Sequence, residues 1–207
     1  MTTKTTQQLS KHLPTFREHM NKLVILNDQE WAIFSSHLYL KKLPKKEHFA
    51  IAGEICDNLG FVISGSLRFY YIKDGEELTG YYSPSNRIIS SYKSFIRRKP
   101  NTLAIQAVED SLLINLNHQS LQQLLDHPIT GHKMERFCRL IAEELIDCYE
   151  DRMQAFITLS PQERYTDLLS DKPCLLKEMP QHYLANYLGI TSTSLSRIRK
   201  RIFFPEK

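Results

Sequence analysis

Apolar positions along the chain follow three successive periods. Over residues 1–38 the spacing is helical, and Asp28-Gln29-Glu30 sets a capping residue and an acidic first turn ahead of Trp31, Ile33, Phe34 and Leu38. From about Tyr39 to Leu116 the period falls towards two. Phe61-Val62-Ile63 runs into Ser64-Gly65-Ser66, and Leu67 to Ile72 runs into Lys73-Asp74-Gly75-Glu76. The pair Asp74-Gly75 between two β-rich runs predicts a tight hairpin. Further runs cover Leu78 to Tyr82, Leu103 to Val108 and Leu112 to Leu116. Short strands, frequent turns and almost no helix predict a jelly-roll or a similar small barrel.

The period returns to 3.6 at Asn117, which can cap a short helix carrying Leu121, Leu124 and Leu125 and stopping at His127-Pro128. A long helix is expected from about Ile129 to Ile157, roughly 40 Å at 1.5 Å per residue. Met134, Phe137, Ile141, Leu145, Cys148, Arg152 and Phe156 follow one another at three- or four-residue steps along it. The barrel can cover part of such a stripe. Its length predicts a dimer seam, with packing inside one chain as the alternative. Leu159-Ser160-Pro161-Gln162-Glu163 then starts a helix with Tyr165, Leu168 and Leu169, which breaks at Asp171-Lys172-Pro173. The expected division is 1–127 for N-terminal helices plus roll, 128–158 for the long helix, and 159–207 for the C-terminal unit.

Composition narrows the class only a little. The 207 residues are 42% hydrophobic and 24% charged, with a net charge of +4. That excludes wholesale disorder and names no partner. No run approaches the ~18 apolar residues of a membrane span, and no signal-peptide pattern opens the chain. A cytoplasmic protein without a membrane partner is expected. Cys56, Cys138, Cys148 and Cys174 are scattered and read as buried or incidental thiols, neither a disulfide framework nor metal ligands. No cofactor is expected.

The chemistry concentrates in residues 180–202. Pro180 suits the first helical position, Leu184 and Leu188 share a face, and Ala185 is small where a second helix must cross. Gly189 supplies the left-handed geometry of a tight turn, Ile190 plugs the space between helices, and Thr191 can cap a second helix that buries Leu195 and Ile198. This is the full helix-turn-helix pattern, and it predicts DNA binding. From Thr191 to Lys207, five cationic residues (Arg197, Arg199, Lys200, Arg201, Lys207) stand against Glu206. That density suits a phosphate-facing element. Ser192, Thr193, Ser194 and Ser196 discriminate bases weakly, whereas Arg197 can pair bidentately with guanine. Ser192 and Thr193 serve equally well as phosphate contacts.

A roll, a long helix and a C-terminal helix-turn-helix together resemble the Crp/Fnr family of bacterial transcription regulators. The matching motifs are Phe61 to Leu67, Ala104-Ile105-Gln106-Ala107 before Glu109-Asp110, and Leu188-Gly189-Ile190-Thr191 through Ile198. The ending Leu195 to Lys200 is most similar to short Bacteroidetes-type members. The resemblance implies an α+β fold: an N-terminal β-roll like a cyclic-nucleotide-binding domain, a long linking helix and a winged-helix-like end. It further implies a homodimer on palindromic double-stranded DNA, with RNA polymerase as a further partner. An absent or reduced wing is expected, because only Phe203-Phe204-Pro205-Glu206-Lys207 follows Ile202.

The resemblance does not carry the usual ligand across. Family members that bind cyclic AMP use a Gly-Glu pair and, about ten residues later, an Arg-Ser/Thr pair. Here Ser90-Ser91 and Asn101-Thr102 occupy those places, so the cation for a cyclic phosphate is missing. An effector pocket is expected at Ser90, Ser91, Tyr92, Asn101 and Thr102, with its effector unknown. Tyr70, Tyr71, Tyr81, Tyr82 and Tyr92 can line an apolar pocket or serve as core and surface tyrosines, and Arg97-Arg98-Lys99 reads as a solvated loop or an anion site. Iron–sulfur and haem sensing find too few ligands. A metal-dependent cupin enzyme fails likewise, because His48 is the only histidine within the roll. The remaining alternative is a small-molecule-binding module of this fold that has lost specific DNA binding.

Overall fold

The computed structural model describes residues 3–171, 176 and 179–204. Two N-terminal helices come first, α1 (Thr3–Leu23) and α2 (Asp28–Ser36). Helix α2 is capped by Asn27, not by Asp28. The Asn27 side chain accepts from the Glu30 amide while the Glu30 carboxylate accepts from the Asn27 amide, because a capping box requires its two members three residues apart. Buried Glu30 also meets the Lys133 ammonium at 3.5 Å, which ties α2 to the long helix.

Eight strands follow: β1 (Tyr39–Leu43), β2 (His48–Ala50), β3 (Asn58–Ser64), β4 (Leu67–Lys73), β5 (Glu76–Ser83), β6 (Ile88–Ile89), β7 (Ala104–Ala107) and β8 (Ser111–Asn117). They form two antiparallel four-stranded sheets, ordered β1-β8-β3-β6 and β2-β7-β4-β5. The β4–β5 hairpin turns at Asp74-Gly75, both left-handed (φ 53° and 82°), as a two-residue primed turn demands. Three details differ from the sequence reading. Strand β7 is shorter than the run from Leu103 to Val108, and β1 and β2 lack a clear alternating signal. A short helix, α3 (Tyr92–Arg97), interrupts the roll.

Alternation along the strands sorts side chains between three cores. Val62, Leu67, Phe69, Ile105 and Leu113 point between the sheets. Leu59, Phe61, Ile114 and Leu116 point outward from the first sheet and meet Phe16 and Met20 of α1, Phe34 of α2, and Met134, Phe137 and Ile141 of the long helix. The outer face of the second sheet carries Arg68 and Tyr82, and Tyr82 joins the core of the C-terminal helices.

Helix α4 (His118–Asp126) is capped by the Asn117 side chain, as expected. The long helix α5 spans Gly131–Thr158, starting two residues later than predicted because Thr130 is its N-cap residue. Ser160 and Glu163 form a second capping box at α6 (Pro161–Asp171). The predicted break at Lys172-Pro173, Cys174, and the tail Pro205-Glu206-Lys207 lie outside the described residues. Helices α7 (Gln181–Tyr187) and α8 (Ser192–Phe203) complete the chain. No helix among the described residues is long and apolar enough to cross a membrane.

Half-buried His19 lies 4.9 Å from the Phe61 ring, and burial, reinforced by Lys22 and Arg87, lowers its pKa. Burial and Arg98 lower that of His118. The unfolded chain therefore takes up these protons at higher pH than the folded one. Stability is intact above the unfolded pKa and is lost as pH falls through the folded pKa. The melting temperature should drop between about pH 7.5 and 5.5, and His19→Gln should reduce that drop. Thermal scans at both pH values read the difference.

Candidate nucleic-acid interface and effector site

Helices α7 and α8 are joined by a turn whose hydrogen bonds follow from one residue. Leu188 ends α7, Gly189 adopts φ +71°, its amide donates to the Asn186 carbonyl, and the Ile190 amide donates to Ala185 at 2.9 Å. This is a complete Schellman cap. Gly189 has a second, steric duty: a Cβ there would sit 2.7 Å from Cε1 of Phe156 on α5. Pro180 is the N-cap of α7 and stands outside it in an extended conformation, so its expected place inside the first turn is corrected by one residue. Thr191 caps α8, accepting from the Ser194 amide at 3.2 Å. Leu184, Ala185, Leu188, Leu195 and Ile198 are buried together with Tyr165 and Leu168 of α6.

Burial of Leu195 and Ile198 turns the opposite face of α8 outward. Ser192, Thr193, Ser196, Arg197, Lys200 and Arg201 are exposed, at a spacing that places the first five on one side. Ser194 is half-buried and shares a hydrogen bond with the Thr191 hydroxyl. Arg199 is turned inward, donating from Nε to the Tyr165 hydroxyl at 3.1 Å. That contact fastens α8 to α6. Helix α8 contains no acidic residue, and its last turn is basic, which favours the helix C-terminus as well as any polyanion.

The long-helix stripe predicted from sequence is consumed within the chain. Met134, Phe137 and Ile141 are buried under the roll. Cys148 faces Tyr81, whose hydroxyl pKa is pushed upward by burial and by the neighbouring Cys148 thiol. Arg152 donates to the Tyr187 carbonyl at 2.9 Å and lies over the Tyr187 and Phe156 rings at 4.1 and 4.8 Å. Arg164 bridges the Leu159 and Leu188 carbonyls and covers Phe156 at 4.4 Å. Burial and nearby Arg152 lower the Arg164 pKa. A neighbouring stripe is left open: Ile146, Tyr149, Met153 and Ile157 are 55–75% exposed. Its signal in the sequence is a second three-and-four spacing, offset by one position from the first.

The five expected effector residues do lie along one stretch of the roll, but most are engaged internally. Ser90 donates to the Asn58 carbonyl, Ser91 is the N-cap residue of α3, and the Tyr92 hydroxyl donates to the Cys138 carbonyl at 2.7 Å. Cys138 is an inert thiol, its pKa pushed up to about 11 by burial. Buried Asn101 donates from Nδ2 to Ile51 and from its amide to Glu54, and its carbonyl accepts from Gly53. Its Oδ1 has no partner. Thr102 is exposed. An unpartnered acceptor oxygen does not suit a cyclic phosphate, and Arg98 is occupied by Asp57 and the Cys56 carbonyl. A cavity of about 190 Å³ lies elsewhere, between α1 and β1, lined by Gln8, Lys11, His12, Leu40, Lys42 and Leu112. Of the tyrosines weighed as pocket walls, Tyr70 and Tyr82 are buried on the second sheet and Tyr71 is exposed. Among the described residues no group of three or more His, Cys, Asp or Glu is placed to hold a metal.

Comparison with known proteins agrees with this architecture. Residues 40–127 match the family model of the cyclic nucleotide-binding domain. Among solved structures, FixK2 from Bradyrhizobium japonicum superposes with a TM-score of 0.69 at 19% identity, over 80% of this chain and 84% of that one. The c-di-GMP-responsive global regulator CLP of Xanthomonas campestris gives 0.64 at 18% identity, over 86% and 92% of the two chains. The catabolite activator protein of Thermus thermophilus gives 0.51 at 19%, over 86% and 84%. The chain has the Crp-like fold: a β-roll of the cyclic nucleotide-binding-domain type followed by a long helix and C-terminal helices. No curated protein matches its sequence.

Gly189→Ala should destabilise the protein by about 1–2 kcal/mol from the left-handed backbone alone, with the Phe156 clash added. Phe156→Ala in the same chain should relieve the clash and leave the backbone cost. Urea denaturation of the two single variants and the double variant separates these contributions.

Proposed function

We propose that this protein is a homodimeric, DNA-binding transcription regulator whose roll does not bind cyclic AMP in the manner of its fold relatives. The observation that carries the reading is the exposed face of α8, where Ser192, Thr193, Ser196, Arg197 and Lys200 project from a fully formed helix-turn-helix. Its polar and basic side chains suit the major groove and its phosphates. Arg197 is the base-reading candidate; Ser194, Arg199 and Arg201 support and flank the face. The capped, sterically matched turn favours a maintained DNA-binding unit over a vestigial one. The proposed parts are residues 1–127, 128–158 and 159–207, in a cytoplasmic regulator without enzymatic activity.

The open stripe on α5 supports the dimer. Ile146, Tyr149, Met153 and Ile157 repeat at three- and four-residue steps, the spacing of a two-stranded coiled-coil seam. A second copy supplies the same stripe by symmetry, as an isologous interface requires. Burying the exposed half or more of each such side chain contributes about 1–2 kcal/mol. The two recognition helices would then face adjacent turns of a palindromic site. The cassette argues against a cyclic nucleotide because Asn101 brings an unpartnered oxygen where a cation is needed.

Selection of genomic DNA fragments by the purified ligand-free protein at two salt concentrations tests the reading. A palindromic site should emerge, with affinity falling as salt rises. Arg197→Ala should cost about 1–3 kcal/mol at its base pair and relax specificity there. Unchanged affinity after Arg197→Ala would favour the alternative, a binding module that has lost specific DNA recognition. Separately, Met153→Glu should shift sedimentation from dimer to monomer without altering the helical circular dichroism signal.

A further inference from the structure

The outer face of the second sheet holds a cation where an apolar side chain is usual. Arg68, the second residue of β4, has a side chain only 4% exposed. Its guanidinium donates from both Nε and Nη2 to Gln106 Oε1 on β7 and from Nη2 to Glu77 on β5. Two aromatic faces close around it. Tyr70 of the same strand lies 4.2 Å from the guanidinium carbon, and Tyr183 of α7 lies 4.4 Å away. The Tyr70 hydroxyl is in turn hydrogen-bonded to His48 Nε2 at 2.9 Å.

Tyr183 belongs to the helix-turn-helix, so this cation is buried partly by another unit of the fold. The same helix makes a long bond from the Thr79 amide to the Asn186 side chain, 3.4 Å, and Tyr82 opposite Arg68 is 1% exposed beneath it. The contact is imperfect. The Thr79 hydroxyl is buried without a partner. Among the described residues Arg68 pairs with one carboxylate, Glu77, which is 47% exposed near the tip of the hairpin. A buried cation tolerates removal from water only while its countercharge holds.

We propose that Arg68 and Glu77 form a charge-controlled latch that docks the helix-turn-helix on the roll. With Glu77 ionised, Arg68 is neutralised and Tyr183 can close over it. Without that charge, the closed state strands a cation away from water, and lifting α7 rehydrates it. Anything that masks or displaces Glu77 at the hairpin tip therefore frees the helix-turn-helix to move about Leu159. Helix α8 stays exposed in the docked state, so the latch sets where the reading face is held and does not cover it.

Hydroxyl-radical footprinting of the full-length protein, read by mass spectrometry, tests this without DNA. In Glu77→Gln, modification of Tyr82 and Tyr183 should rise by about threefold or more, while Tyr165, covered by the C-terminal helices themselves, and Phe137, under the first sheet, remain protected. Arg68→Met removes the buried charge and keeps the bulk. The combination Arg68→Met with Glu77→Gln should therefore restore Tyr82 protection. Unchanged Tyr82 in Glu77→Gln would overturn the latch. Equal exposure in the single and double variants would overturn its control by charge. A general rise that includes Tyr165 and Phe137 would mean that Glu77 supports global folding, which also overturns it.

Discussion

The whole arrangement depends on how one helix divides its surface. Helix α5 is about 42 Å long at 1.5 Å per residue, far longer than the roll can cover on one face. Its first half gives Met134, Phe137 and Ile141 to the core beside the first sheet. Its second half turns Cys148 to Tyr81 and Arg152 to Tyr187, which ties the roll and the helix-turn-helix to one rod. The angular remainder, Ile146 to Ile157, stays apolar and open. A helix that serves two neighbours within its own chain and leaves a third, apolar stripe open makes the positions of those neighbours interdependent.

Arginine side chains make the joints of this assembly, and the choice of residue has a physical basis. Arg152 and Arg164 both rest on Phe156 while reaching backbone carbonyls at the end of α7 and at Leu159, and Arg68 lies between two tyrosines. A planar guanidinium offers a flat face to a ring and a row of donors to carbonyls at the same time, which an ammonium cannot do. Such joints hold orientation while keeping polar groups in the interface. They are less committed than an apolar core, as the unpartnered Thr79 hydroxyl and Arg164 Nε indicate.

In the roll, the segments around Ser90 and Asn101 are held by hydrogen bonds to the chain itself. Asn101 uses its amide hydrogens and backbone to hold the segment from Ile51 to Glu54, and Ser90 and Tyr92 are tied to Asn58 and Cys138. Side chains that bind the protein itself have less to offer a ligand. These contacts hold the segment within the chain itself, inside the domain match that spans residues 40–127.

The chain's own pattern determined the elements whose cause is local. Asp74-Gly75 specified its hairpin because two left-handed residues in a row admit few alternatives, and Gly189 with Leu184, Leu188, Leu195 and Ile198 specified the helix-turn-helix through turn geometry and spacing. The exposed face of α8 followed from the same spacing. Other features have no local cause. Strands β1 and β2 are held by their pairing with β8 and β7, so their own residues carry little signal. Two stripes of similar spacing run along α5, and only the placement of the roll and α7 decides which one is buried. Arg68 reads as an ordinary strand cation until Tyr183, more than a hundred residues later, folds over it. Periodicity records which side chains share a face; which surface covers that face depends on distant segments, and the tertiary structure alone supplies them.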